Sequence, residues 1–299
     1  MSSYVSVCVV MSNKSGESPA KSGRFRRRYA LRGLKAFAVI LAVGAGAVWG
    51  TAQWRLTSQW PAALAPLKVQ PSPELVAEGE RVFHIFGCAG CHQEAGNVLF
   101  EAPMVGRVVA PNISRRIADY SDEELVRLIR HGVKHDGTSA IVMPASVLGR
   151  ISDQDLAALV SYLRSVGPRH DAITVATRFG PLGYIAMAAG KVDMSAAIAP
   201  KDEPPVTRPL DREGEYLVSA TCRACHEFDS VHDNGFGMVT PPLKAMARSY
   251  ALEDFRHLLR SGEGSGGRDL GLMSEVARSD FSHFTDGEID AIHAYLTAP

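Results

Sequence analysis

Two stretches decide the reading of this chain: FGCAGCHQE at 86–94 and TCRACHEFD at 221–229. Each contains C-x-x-C-H, and the first cysteines stand 134 residues apart (222 minus 88). Three chemistries use closely spaced cysteines. A redox dithiol cycles its two sulfurs and needs no adjacent histidine. Two C-x-x-C pairs can pool four thiolates around one zinc ion. Covalent haem attachment takes two thioethers and a histidine placed directly after them, where it can reach the iron. Only the third fixes the histidine. With ten histidines in 299 residues, two such placements by chance have odds of roughly one in a thousand. The motifs therefore predict two covalently attached haems of c type. The attaching cysteines are Cys88, Cys91, Cys222 and Cys225, and the proximal iron ligands are His92 and His226. Cys8, the fifth cysteine, reads as an unpaired thiol.

The sequence around the motifs repeats. AEGERVFHIFGCAGCH (77–92) matches REGEYLVSATCRACH (212–226), YSDEELVRLIRHG (120–132) matches YALEDFRHLLRSG (250–262), and ISDQDLAALVSYLRS (151–165) matches FTDGEIDAIHAYLTA (284–298). Each copy reads as one short helical domain. Ser72 with Pro73 opens the first helix. Ser121 with Glu124, Ser152 with Asp155, and Thr285 with Glu288 have N-cap and N3 spacing. Gly132 and Gly262 end the middle helices, and Gly167-Pro168 closes the last helix of the first copy. Strand-like alternation is nearly absent, so the expected fold class is all-α.

Charge is unevenly spread. Lysine plus arginine and aspartate plus glutamate are 32 each, but the first 35 residues hold eight basic side chains and one acidic one. The remainder carries 24 basic and 31 acidic groups, a net of −7, which excludes the basic body of a nucleic-acid binder. After the basic run come seventeen uncharged residues, AFAVILAVGAGAVWGTA at 36–52, long enough to cross a bilayer core. The basic flank predicts a cytoplasmic N-terminus and an exported body. Trp49, Trp54 and Trp60 follow at the exit end, as in an aromatic belt. The competing reading is a signal peptide cleaved near Gly50-Thr51-Ala52. The expected organisation is a basic tail (1–35), an anchor or signal peptide (36–54), a Pro-Ala stalk (55–71), a first domain (72–168), a linker (169–207) and a second domain (208–299). The apolar linker stretch RFGPLGYIAMAAGKVDMSAAIAP is too interrupted to span a membrane and is expected to pack across both domains.

Each copy resembles a class I cytochrome c domain. The whole resembles the dihaem cytochromes c that accept electrons from membrane-associated bacterial dehydrogenases. The resemblance implies two tandem class I domains after an N-terminal transmembrane helix. It also implies that a glycine on the first helix meets an aromatic on the last, as Gly79 with Tyr162 and Gly214 with Tyr295. A proline carbonyl should accept the proximal histidine's hydrogen bond, with Pro103 expected in copy one and Pro241 or Pro242 in copy two. The distal ligand is usually methionine. Met143 and Met273 fit, each 23 residues after a matched tyrosine, Tyr120 or Tyr250. Copy two is expected to lack the GRVVAPNISRR segment. Met104 and Met238, each twelve residues after a proximal histidine, are expected to pack on the proximal side.

Filled Met/His iron positions favour outer-sphere transfer over catalysis. The expectation is a relay of single electrons on the periplasmic side of a bacterial inner membrane. A dehydrogenase would be the donor and an oxidase or another cytochrome the acceptor. The alternative is a dihaem enzyme, a peroxidase or a thiosulfate-oxidising cytochrome, in which one haem keeps an open or replaceable distal site.

Overall fold

Two glycines set the geometry of the paired repeats. A Cβ on Gly79 would stand 2.0 Å from Ala158 O and 2.7 Å from Tyr162 Cβ; on Gly214 it would stand 2.0 Å from Ala291 O and 2.8 Å from Tyr295 Cβ. Only a residue without a side chain lets the first helix of each repeat touch the backbone of the last. The computed structural model that shows this describes residues 20–67, 69–93, 95–167, 173–202, 204–205, 207–233 and 239–299.

The chain divides into two units, Met1–Val48 and Trp49–Pro299. The first unit, where described, belongs to helix α1 (Ala20–Thr57). Within α1, Arg27–Thr57 is long and apolar enough to cross a membrane, a test that a signal sequence also passes.

The second unit holds both repeats. In the first, α2 (Pro73–Ile85) leads into α3 (Cys88–His92), which carries the motif itself. Strands β1 (Asn97–Ala102) and β2 (Gly106–Ala110) then form an antiparallel hairpin. There follow α4 (Ile113–Arg116), α5 (Asp122–His131), α6 (Ala145–Leu148) and α7 (Asp153–Ser165). A connecting segment contributes β3 (Arg178–Phe179), α8 (Pro181–Ala188) and α9 (Ser195–Ile198). The second repeat runs through α10 (Glu213–Ala220), a 3-10 turn at Cys222–Ala224, α11 (Leu243–Arg248), α12 (Leu252–Ser261), α13 (Leu272–Ser279) and α14 (Asp286–Thr297).

The caps sit where their residue types demand. Ser72 Oγ accepts from Leu75 N at 3.1 Å, and Pro73 occupies the first turn. Ser121/Glu124 and Thr285/Glu288 form complete capping boxes. Gly132 and Gly262 end α5 and α12 at φ of 64° and 74°, a left-handed turn that favours glycine. A single core runs through both repeats, with Val82, Ile85, Leu156, Leu159, Leu217, Phe284, Ile289 and Leu296 almost wholly buried.

The hairpin is the departure from an all-helical reading. Its residues, NVLFEAPMVGRVVA, alternate weakly because the two strands differ in burial. The connecting segment also differs from expectation. It wraps chiefly around the first repeat: β3 pairs with β2, Ile141 bridges Met194, and Ser195 N donates to Ala140 O at 2.9 Å. Even its end stays on the first repeat, where Asp153 N donates to Pro205 O at 3.0 Å, and the crossing comes at Arg208, the first residue of the second domain, which pairs with Glu288.

Candidate functional site

In the first repeat the motif opens onto a cavity of about 980 Å³. Cys88, Cys91, His92 and Met143 all line it, together with apolar side chains such as Phe83, Leu125, Ile129 and Leu159. Residues 173–177 of the connecting segment and Leu56 of α1 complete the wall. Helix α3 starts from Gly87 at φ 73°, which turns the chain sharply out of α2 and presents both cysteines together.

His92 Nδ1 lies 2.9 Å from Pro111 O. The ring therefore donates through Nδ1 and keeps its lone pair on Nε2, the state a metal-binding imidazole needs. Burial holds His92 below the ordinary imidazole range against the opposing pull of the Pro111 bond. In the second repeat His226 Nδ1 stands 2.8 Å from Pro241 O. Copy two thus uses Pro241, one of its two expected prolines. Copy one uses Pro111 in place of the expected Pro103, which stands in the exposed turn between β1 and β2. The signal was available in the spacing: Pro111 precedes Tyr120 by nine residues, and Pro241 precedes Tyr250 by nine. Copy two does not lack the whole segment either. It has a shorter hairpin, with His232–Asp233 paired to Val239–Thr240, so its proline comes 15 residues after the histidine, against 19 in copy one.

Met143 and Met273 hold comparable places. Both are partly buried against the shared core. Met143 precedes α6, and Met273 lies in the first turn of α13. Just before Met143, Val142 takes φ 65°, a strained value for a β-branched residue. It is held there by Val142 N donating to Asp193 O at 3.3 Å and by the Ile141–Met194 bridge beside it. Met104 does not pack on the proximal side: it is 62% exposed, at φ 63°. Met238 and His170 lie outside the described residues. His131 and His135 do not line the cavity; His135 packs edge-on against Tyr120 at 5.0 Å. Arg115 and Arg116 line it, whereas Arg107 pairs with Glu101 at 2.7 Å.

The thiols do not suit a redox dithiol. Burial pushes Cys88 up to about 12 and also raises Cys91, Cys222 and Cys225, so all four stay protonated at neutral pH. Among the described residues no three His, Cys, Asp or Glu side chains are grouped to hold a metal ion. An apolar cavity walled by two protonated thiols, a neutral imidazole and a thioether fits a large apolar group attached through sulfur.

The comparisons agree. The family described as "Cytochrome C oxidase, cbb3-type, subunit III" matches residues 74–163 and again 209–296. The chain belongs to this cytochrome c family. Cytochrome c domains imply covalently bound haem c, and two domains imply two. Among curated relatives, the gluconate 2-dehydrogenase cytochrome c subunit of Pantoea cypripedii is 28% identical, aligned over 76% of this chain and 60% of its own. The cytochrome c subunit of the quinone-dependent alcohol dehydrogenase of Komagataeibacter europaeus is 25% identical over 74% and 55%. The fructose dehydrogenase cytochrome subunit of Gluconobacter japonicus is 25% identical over 70% and 49%. The chain spans about half to three fifths of the length of these relatives. It is thus a cytochrome c whose curated relatives include cytochrome subunits of dehydrogenases.

Proposed function

We propose that this protein is a membrane-anchored dihaem cytochrome that relays single electrons from a dehydrogenase to a terminal acceptor on the periplasmic side. The observation that carries this reading is the meeting of His92 and Met143 on one cavity with Cys88 and Cys91. Haem, when bound, supplies a one-electron couple whose potential is raised by a methionine ligand. Cys88, Cys91, Cys222 and Cys225 would hold it, and His92/Met143 and His226/Met273 would be the axial ligands.

The chain's own residues do the rest. The Pro111 and Pro241 carbonyl oxygens each accept a hydrogen bond from Nδ1–H and so orient the imidazole without changing its charge. The apolar wall excludes water, which favours the neutral over the charged state of a bound cofactor. Val142 N donating to Asp193 O and Ala140 O accepting from Ser195 N tie down the backbone that leads into Met143, which limits the freedom of that side chain to swing away. Two methionine-filled sites leave no open position for substrate, which disfavours the peroxidase and thiosulfate-oxidising alternatives. The acidic body, −7 over residues 36–299, suits long-range attraction to a basic docking face.

A retained anchor is favoured over a cleaved signal. Ala52, at the proposed cleavage point, is fully buried against Met187 and Met194. Arg55 donates to Met187 O at 2.9 Å and Val192 O at 3.2 Å.

The test is spectroscopic. Intact mass should show two haems, and the oxidised protein should show the weak red charge-transfer band of methionine–iron ligation. Met143→Ala and Met273→Ala should each remove part of that band and lower one potential. Unchanged band and potentials in either variant would overturn that ligand assignment. Rapid peroxide or thiosulfate turnover by the wild type would overturn the relay.

A further inference from the structure

We propose that α8, with the tip of the β1–β2 hairpin beside it, is a second membrane contact that lies in the headgroup–acyl boundary of the bilayer. The proposal rests on the anchored reading above. Its starting point is a helix with no polar side. Pro181–Ala188 reads PLGYIAMA, and no charge occurs before Lys191. A helix apolar all round needs cover on every face.

One face has it. Met187 is fully buried against Ala52, and Phe179, Tyr184, Ala188 and Trp60 pack into the same cluster. The other face is bare: Leu182 is 47% and Ile185 50% exposed, with Pro181 and Ala189 exposed beside them. The patch continues onto the hairpin tip. Leu182 N donates to Met104 O at 3.0 Å, which puts the exposed Met104 side chain next to the start of α8.

The level at which α8 docks favours lipid as the occupant. Its buried face meets Ala52, three residues before Arg55, the first charge after the apolar run. Arg55, one turn further on, caps the α8 carbonyl end. Trp49 and Trp54, both more than half exposed, bracket the same turns of α1, where indoles favour the interface. Exposed Lys191 follows at the end of the patch, placed to meet lipid phosphates. Interfacial helices usually carry a charged face toward water. Here the body of the protein replaces that face.

Site-directed spin labelling of the full-length holoprotein tests this. In a Cys8→Ser background, with the haem cysteines consumed as thioethers, single cysteines replace Leu41, Ile185 or Leu210. Leu41 probes the anchor, and Leu210, 78% exposed in the second repeat, is the aqueous control. Each is reconstituted into vesicles of phosphatidylethanolamine and phosphatidylglycerol. Accessibility is then read with oxygen and with a water-soluble nickel chelate. The expected result is an oxygen-to-nickel ratio severalfold higher at 41 and 185 than at 210. Insertion at 41 with 185 as nickel-accessible as 210 overturns the proposal and leaves the anchor standing. Failure at 41 as well overturns the anchored reading and the proposal with it. Shielding at 185 that appears only when a co-purified dehydrogenase is added would show a protein interface, and also overturns the proposal.

Discussion

The phenol of Tyr216 in the second repeat donates to the carboxylate of Asp155 in the first at 2.6 Å. The same oxygen accepts from Ser152 N at 3.0 Å, the backbone group that a longer acid at 155 would have capped. The reciprocal contact exists on the other side. Arg81 sits two residues after Gly79, as Tyr216 does after Gly214, and it grips Glu288, the N3 acid of α14, at 3.0 and 2.9 Å. The repeats therefore clasp one another through equivalent positions that have diverged in chemistry.

Tyr216→Phe should destabilise the protein by about 1–3 kcal/mol, because it strips a buried carboxylate and a buried backbone N–H of their partner. Burial already raises the Asp155 pKa. Chemical denaturation followed by haem absorbance checks this; a change below about 0.5 kcal/mol would show that water replaces the phenol.

Gly79→Ala and Gly214→Ala should each sharply reduce the yield of haem-containing protein. The added carbon would stand 2.0 Å from a helical carbonyl oxygen with only backbone to yield, and overpacking of this kind costs about 1–3 kcal/mol or more. Gly167→Ala, where nothing lies within 4 Å, is the matched control and should leave the yield unchanged.

Asp280 should make stability fall with rising pH. It belongs to the second repeat, and its carboxylate lies 3.1 Å from where a Cβ on Gly90 would be. Burial pushes it up to about 6, and the nearby His84 opposes the rise. Between the ordinary aspartate range and pH 6 the native state binds more protons than the unfolded one, so stability declines through that window and then levels off. Asp280→Asn should flatten the slope and be the more stable protein at pH 7. Urea midpoints at pH 4.5 and 7 measure both effects; a wild type with no decline would remove the argument.

Val142→Gly should be neutral or stabilising by about 1 kcal/mol, since it relieves a β-branched residue at φ 65°. If the strain serves to hold Met143, the red band should weaken even as the protein gains stability.

The helices and caps were legible because each depends on residues close in sequence, as Ser121 with Glu124 and Gly132 at its turn; the crossings of Gly79 with Tyr162 and Gly214 with Tyr295 span most of a repeat and were legible only through the family resemblance. Pro111 was missed because a hairpin of variable length lies between it and His92, and proximity along the chain favoured Pro103. Spacing counted backward from Tyr120 would have found it. Asp280 and residues 173–177 gave no such signal. They reach the first motif from distant parts of the chain, and nothing in their own neighbourhood marks them.

The wall that residues 173–177 supply comes after the last helix of the repeat whose cavity it closes. The first repeat is therefore not a self-contained module. During synthesis its cavity stays open on one side until twelve further residues, through Thr177, have followed the end of α7. A chain cut at the apparent end of the repeat would keep Cys88, Cys91, His92 and Met143 and still lack one side of the container.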